Sequence, residues 1–295
     1  MPSVRDLRDR IKSLKNTQQI TKAMKQVAAA RIRRAEAAMR AARPYAERMR
    51  FMLDELVEKG GKVDHPWLQP PVAGKSLAVV LLTADKGLAG AFNANTVREA
   101  ERFVRSRGGE SVLWYPVGTK AIQAVRRLRG EAPAQWLLAP KDLPMVEQAR
   151  KVAQRLTSDF AEGRIGEIAL VRPRFISMLT QRPEAARLIP IERKPGVSGG
   201  EGHAALASVE FEPDAATVLS ALLPKYLAFT IFAAMQETLA GFFAAQLLAM
   251  TNATDNAGKL IEELTVAMNS ARQAAITKEI LEIAGGAEAL RAAGH

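Results

Sequence analysis

The stretch VRDLRDRIKSL at residues 4–14 decides the fold of the N-terminal end. It places Val4, Leu7, Ile11 and Leu14 at spacings of three, four and three residues, which is the pattern of a coiled-coil seam. No glycine occurs from residue 3 to residue 59, so we expect one helix of roughly 80 Å at 1.5 Å per residue. A helix of this length needs a partner along its apolar stripe.

Beyond Leu14 the apolar spacing changes phase, which predicts a stutter in the seam. The only proline in this segment is Pro44, where we expect a kink. The shifted repeat runs through Ile20, Met24, Val27, Ile32, Ala35 and Met39.

A second long helix is predicted at the C-terminal end. Glu212-Pro213-Asp214 offers a helix start, and the stretch 225–284 contains no proline and only two glycines, Gly241 and Gly258. Two long terminal helices meet most simply by antiparallel pairing, with the residues between them inserted at one end.

The middle of the chain has a different pattern, in which short apolar runs alternate with helix-like stretches. The runs lie at 77–83, 112–117, 136–139, 168–176 and 187–191, and the helices near 94–107, 118–129 and 143–162. This alternation predicts an α/β domain whose sheet is largely parallel at its centre and ends in an antiparallel hairpin.

The predicted fold class is therefore α/β, with a long antiparallel coiled coil of the terminal helices and an inserted Rossmann-like α/β domain. The predicted divisions are a coiled-coil helix at 1–59, the α/β domain at 75–192, a flexible loop at 193–211 and a second coiled-coil helix at 212–290.

Charge is concentrated at the N-terminal end. The chain carries a formal net charge of +11, and residues 1–50 hold 14 basic against 4 acidic residues. A basic helix favours an acidic partner, either a protein surface or a nucleic acid. No aromatic residue precedes Tyr45, so stacking platforms for single strands are missing from this segment.

The residues suggest no catalytic, cofactor or metal site. The sequence contains no cysteine, and the spacing of its three histidines fits no metal site. Gly74-Lys75-Ser76 precedes a strand instead of following it, and the turn at 87–93 lacks the GxGxxG spacing of a dinucleotide site. Asp85 is better read as a turn-stabilising side chain than as a catalytic carboxylate. We also expect no membrane-spanning run of about 20 apolar residues.

Three segments carry a resemblance to a known family. Residues 8–35, residues 249–290 and the turn around Leu82–Asn93 closely resemble the gamma subunit of F-type ATP synthases of the bacterial type. Within the second segment, Ile276–Glu282 followed by Gly286-Ala287 looks like the family's C-terminal signature. The resemblance extends over essentially the whole chain and is weakest between 100 and 205.

The resemblance implies a non-catalytic rotor that transmits torque between a membrane c-ring and the catalytic sites of a ring of three alpha and three beta subunits. It also implies regulation of ATPase activity and ion flow. The implied partners are the alpha, beta and epsilon subunits and the c-ring, with no nucleic acid and no cofactor. The implied location is the cytoplasmic face of the plasma membrane, reached through the Fo sector only.

Particular residues follow from the same resemblance. It implies beta-subunit contacts through two segments, and a tip in a hydrophobic bearing that includes Ile283 and Leu290. The implied contacts are Thr21, Lys22, Met24, Lys25, Arg272, Gln273 and Thr277. The chain departs from the family pattern at Gly241-Phe242-Phe243, where relatives usually carry a small residue, an acid and His or Gln. It departs again at Gln246, where Arg is usual.

Two other functions stay open on the residues alone. One is a basic helical nucleic-acid-binding protein, and the other is a nucleotide-binding enzyme built on the α/β domain.

Overall fold

The computed structural model describes residues 3–59, 65–71, 74–191 and 214–293. The helices are α1 (Val4–Lys59), α2 (Phe92–Ser106), α3 (Thr119–Arg127), α4 (Met145–Ala161) and α5 (Ala215–Ala293), with a short 3₁₀ turn at Pro66–Leu68. The strands are β1 (Ser76–Leu82), β2 (Val112–Val117), β3 (Ile165–Phe175) and β4 (Gln181–Ile189). The predicted loop at 193–211 lies outside the described residues.

The chain forms two compact units. One contains Met1–Ala28 and Leu247–His295, and the other contains Ala29–Gln246. We call them the helical unit and the sheet unit. Each unit contains part of α1 and part of α5, and the domain boundaries proposed from the sequence stay a prediction.

The sheet unit is built on four strands in the order β2-β1-β3-β4. Strand β1 is parallel to both of its neighbours, and β4 is antiparallel to β3. The predicted fold class, with its parallel centre and antiparallel hairpin, is confirmed.

The predicted strand at 136–139 is wrong. Trp136 forms only an isolated bridge to Val117. The next backbone N–H groups, at Leu138 and Ala139, donate to the Asp85 carboxylate at 3.0 Å each. These donors are therefore not available to extend a strand ladder.

Both faces of the sheet are covered, which explains the unbroken apolar sequence of β1. Side chains at alternate positions, such as Val80, pack with α4 and with α5 residues from Leu219 to Met235. The intervening positions, such as Val79, pack with α2 and α3. The first part of α5 is thus a core helix of the sheet unit.

The predicted phase shift in α1 is wrong. Ile20 and Val27 are 60% and 50% exposed. The original heptad continues instead, through the half-buried Gln18, the buried Thr21, the half-buried Lys25 and the buried Ala28. The seam tolerates polar residues here because they find partners across it, as described below. Pro44 lies inside α1, and a kink there stays a prediction.

The predicted start of α5 is confirmed. Asp214 precedes the helix and accepts hydrogen bonds from the backbone N–H of Thr217 at 2.9 Å and from its hydroxyl at 2.7 Å. These bonds satisfy donors that a helix start leaves free. The backbone hydrogen bond from Thr217 is the largest cause that lowers the pKa of Asp214.

Candidate interaction surfaces

Within the helical unit, α1 and α5 run antiparallel and meet through polar atoms. The hydroxyl oxygens of Thr21 and Thr254 lie 2.9 Å apart. The Gln18 side-chain amide lies 3.5 Å from the Thr254 carbonyl oxygen and 3.1 Å from where a Cβ of Gly258 would stand. The helices therefore approach closely at this point.

The predicted contact residues on α1 differ in exposure. Lys22 is exposed, whereas Met24 and Lys25 are half-buried. Thr21 is only 8% exposed, and its hydroxyl also donates to the Gln18 carbonyl at 3.1 Å. The basic side chain of Lys22 is thus the most accessible member of this group.

The predicted contact residues on α5 are all exposed. They are Arg272, Gln273 and Thr277. The Thr277 hydroxyl donates to the Gln273 carbonyl of its own helix, 3.0 Å away. The guanidinium of Arg272 and the amide of Gln273 are therefore free to bind a partner.

The same part of α5 presents apolar side chains to solvent. Ile276, Ile280 and Ile283 are 49%, 60% and 70% exposed. Their spacing of four and three residues places them on one helix face, and such a contiguous apolar face marks an interaction site. Of these three, sequence reasoning had singled out only Ile283, although the spacing would have revealed the other two. The side chain of Leu290 lies outside the described part of the chain.

In the sheet unit, the turn after β1 is held by its own side chains. Besides Leu138 and Ala139, the backbone N–H of Thr119 donates to Asp85, at 3.0 Å. The Asn93 side chain accepts from the N–H of Ala84 at 2.9 Å and donates to the Lys86 carbonyl at 3.2 Å. The Asp85 carboxylate accepts hydrogen bonds from these backbone N–H groups and so stabilises the turn, as predicted.

The departure at Gly241-Phe242-Phe243 builds a contact between α5 and this turn. Phe242 is buried and meets the Phe92 ring edge-on at 6.2 Å between centroids. A Cβ on Gly241 would stand 3.1 Å from the same ring, so the helix approaches Phe92 closely. The Arg31 guanidinium lies 5.7 Å from the Phe243 ring centre, in reach of a cation–π contact.

Two acidic residues of the sheet unit are held by arginines. Glu237 on α5 pairs with Arg172 on β3 and accepts the backbone N–H of Phe175 at 2.8 Å. The buried Asp159 pairs with Arg155 and Arg164, at 2.9 and 2.6 Å.

A tyrosine completes the second of these clusters. The Tyr115 hydroxyl donates to Asp159 at 2.5 Å. Burial raises the pKa of Tyr115, and this hydrogen bond raises it further. In the described part of the chain, no group of three His, Asp or Glu side chains has the arrangement that a metal ion needs.

We expected no segment that is apolar enough to cross a membrane, and this expectation was wrong, because one helix has the length and the apolar content that a membrane span needs. The helix from 216 to 285 passes by length and apolar content, a test that core helices also pass. Residues such as Leu227, Ile231 and Met235 are buried against the sheet unit's own core. Packing within the sheet unit therefore accounts for much of the apolar sequence.

Comparison with known proteins matches the model of the ATP synthase family to residues 3–290. The chain is 43% identical to the ATP synthase gamma chain of Desulforamulus reducens over 292 residues, covering 98% of this chain and all of that one. It is 42% identical to the gamma chain of Pelotomaculum thermopropionicum over 290 residues, again covering 98% of this chain and all of that one.

Solved structures share the fold. A chain of the Euglena gracilis mitochondrial ATP synthase matches with a TM-score of 0.70 at 18% identity, covering 99% of this chain and 96% of that one. A chain from the central stalk and c-ring structure of the Tetrahymena thermophila enzyme matches with a TM-score of 0.59 at 22% identity, covering 79% and 99%.

Proposed function

We propose, from the premise that the chain belongs to the ATP synthase gamma-chain family, that its paired terminal helices turn inside a ring of three alpha and three beta subunits. Family membership makes it a non-catalytic central-stalk subunit of the F1 sector that transmits torque, while the catalytic sites lie on beta. The proposal adds which surfaces contact the ring. It also adds that the chain binds the epsilon subunit and the c-ring, and that through these contacts it regulates ATPase activity and ion flow.

The contact with beta runs through exposed charged and polar side chains. Lys22 on α1 and Arg272 with Gln273 on α5 are exposed, and Lys25 and Met24 flank the first of these. Exposed charges in water interact weakly with any one partner, by about 0–1 kcal/mol per pair. Attraction of this size holds the rotor near the ring without locking it at one angle.

Thr21 belongs to the contact segment on α1 and Thr277 to the one on α5, and the two residues have different roles. Thr277 is exposed next to Gln273, one turn along α5. Thr21 is buried against α5, so its part in the beta contact is to set the position of Lys22 and Lys25.

The apolar end of α5 turns in a hydrophobic bearing formed by the ring. Ile276, Ile280 and Ile283 offer one exposed apolar face, and the proposal extends this face to Leu290. An apolar sleeve around it would remove this surface from water without fixing a rotation angle, since the hydrophobic effect is non-directional.

The proposed location follows from the partners. A c-ring is a membrane assembly, so the chain would be held peripherally at the cytoplasmic face of the plasma membrane through the Fo sector. No nucleic acid takes part in this proposal.

The observation that carries the proposal is the exposure of Arg272, Gln273 and Thr277 beside an exposed apolar face on the same helix. Co-purification tests it. We expect recovery with alpha and beta in a 3:3:1 ratio, whereas salt-sensitive DNA binding without such a complex would contradict it.

A double variant tests the named residues. Arg272→Glu with Gln273→Ala should lower coupled ATP synthesis several-fold without changing the circular dichroism or melting of the chain. The matched control is Lys151→Glu with Gln154→Ala on α4, another exposed charged and amide pair, which should leave synthesis unchanged. Unchanged synthesis in the first variant would contradict the assignment.

A further inference from the structure

The coiled-coil seam of the helical unit contains a polar interruption with partners on both helices. We propose that Thr21 and Thr254, with Gln18 and Gly258 beside them, form a register pin that fixes the axial position of α1 against α5. The proposal rests on the function proposed above, because the pin keeps the two beta-contact segments in phase.

Within the helical unit itself, the rest of this seam does not define a register. Apart from the half-buried Lys25, its other heptad positions are apolar, and all are buried or half-buried. They are Val4, Leu7, Ile11, Leu14 and Ala28 on α1, and Leu247, Met250, Ala257, Ile261, Leu264, Met268 and Ala271 on α5. Sliding one helix by seven residues would place apolar positions on apolar positions again. Polar positions that pair across such a seam are a well-attested way to select one register.

The hydroxyl geometry joins the two helices. Thr21 lies 3.1 Å from the Gln18 carbonyl, Thr254 lies 2.7 Å from the Met250 carbonyl, and the two hydroxyls lie 2.9 Å from each other. Each threonine hydroxyl has one proton, so two protons serve three contacts. One hydroxyl can thus bond across the seam at the expense of its own helix.

A shifted register would lose this arrangement. Moving α1 by seven residues would place Thr21 opposite Leu247 or Ile261, which offer no side-chain hydrogen-bond partner. A buried hydroxyl against an apolar side chain is disfavoured. The native register is therefore the one in which the two hydroxyls face each other.

Gly258 leaves room for the third polar side chain. A Cβ at this position would stand 3.1 Å from the Gln18 side-chain nitrogen, so the glycine provides space in which Gln18 reaches the Thr254 carbonyl. The flexible end of Gln18 can turn away from a Cβ here, so the hydroxyl pair, and not the glycine, fixes the register.

The pin has a consequence for the proposed contacts with beta. Lys22 and Lys25 follow Thr21 on α1, while Arg272 and Gln273 lie further along α5. A shift of seven residues would displace one segment from the other by about 10 Å. Both could then no longer meet their partners at the same rotor angle.

Spin-label distances test the register directly. The chain has no cysteine, so cysteines introduced at the exposed Arg8 and Asn256 are the only labelling sites. We expect one distance in the otherwise unchanged full-length chain, and a second population displaced by about 10 Å when Thr21→Val and Thr254→Val are combined. One unchanged distance in that double variant would overturn the pin.

Two further variants separate the pin from general packing. Thr21→Ser with Thr254→Ser keeps both hydroxyls and should keep the single distance. Thr265→Val is a matched control, because the Thr265 hydroxyl bonds its own helix at Ile261, 2.6 Å away, and it should also keep the single distance. A second population in either of them would overturn the pin.

A functional measurement on the assembled complex follows. The valine pair should pump several-fold fewer ions for each ATP that it hydrolyses, whereas the Thr265→Val control should pump normally. Full pumping by a valine pair with a shifted register would overturn the pin's role in phasing the contacts. The label distances do not depend on beta contacts, so failure of the pin and failure of the proposed function are distinguishable.

Discussion

Helix α5 has two different environments along its length. In the sheet unit, Leu227, Ile231 and Met235 are buried in the core, whereas in the helical unit Ile280 and Ile283 are 60% and 70% exposed. Similar aliphatic side chains on one helix therefore build a core in one region and an exposed apolar face in the other. The comparison shows that apolar sequence alone does not reveal which of the two a helix segment forms.

The polar contacts of α5 also differ between the two regions. The sheet unit fixes α5 with the Arg172–Glu237 ion pair and an aromatic contact at Phe242. The helical unit uses neutral hydroxyls at Thr21 and Thr254. We interpret the first region as a rigid attachment of the helix to the sheet, and the second as a seam whose register must be specified.

Of the variants that distinguish the two regions, Phe242→Ala should cause the largest loss of stability. Removing this buried ring should lower the free energy of unfolding of the sheet unit by about 3–5 kcal/mol. Val266→Ala, at a side chain 70% exposed in the helical unit, should change it by less than about 0.5 kcal/mol. Denaturant unfolding measures both, and equal losses would contradict the distinction.

A smaller loss is expected from Glu237→Gln. The variant keeps the shape of the side chain but weakens the charged bonds to Arg172 and to the Phe175 N–H, and hydrogen bonds to charged groups contribute about 1.5–3 kcal/mol. Glu279→Gln, at an exposed position, serves as its matched control. Identical melting of the two variants would show that Glu237 does not attach α5 to the sheet.

Gly241 and Gly258, one in each region of α5, allow a second comparison. At Gly241 an added Cβ meets the Phe92 ring, which is packed, while at Gly258 it meets the flexible end of Gln18, both at 3.1 Å. We expect Gly258→Ala to stabilise the chain by about 0.5 kcal/mol through helix propensity, and Gly241→Ala to destabilise it by about 1 kcal/mol. Thermal melting should therefore move in opposite directions, and a shift of the same sign in both would contradict this account.

The smallest expected effect is a loss of stability of the first turn of α1 at low pH. The Ser3 hydroxyl accepts from the Asp6 N–H at 3.2 Å, and the Ser3 N–H donates to the Asp6 carboxylate at 3.1 Å. Hydrogen bonds from Ser3 lower the pKa of Asp6, so the carboxylate stabilises the turn above its unfolded pKa of about 3.9.

That contribution is lost as the pH falls through the lowered pKa in the folded chain. Amide hydrogen exchange in the first turn should then become faster in acid than its intrinsic pH dependence explains. Asp6→Asn should remove this extra dependence, and an unchanged pH profile in that variant would show that Asp6 is not its source.

Much of the fold could be predicted from spacing. The sheet pattern and the start of α5 at Asp214 follow from local signals, since strands covered on both faces are continuously apolar and carboxylates bind free helix donors. The turn role of Asp85 was predicted on the same basis.

The seam and the site could be predicted only in part. Ile20 and Val27 were assigned to the seam because they are apolar, yet they are exposed, and Thr21 is buried because Thr254 lies opposite. Pairings between residues more than 200 positions apart leave no local pattern. The contact of Phe242 with Phe92 escaped prediction for the same reason.

Rotation of single complexes tests the central claim most directly. A complex of the chain with alpha and beta is fixed to a surface through the ring, and a probe is attached to a cysteine introduced at the exposed Arg126. On addition of ATP, we expect the probe to turn in one direction in three steps per revolution. ATP hydrolysis with a stationary probe would contradict the assignment of the paired terminal helices as a rotating shaft.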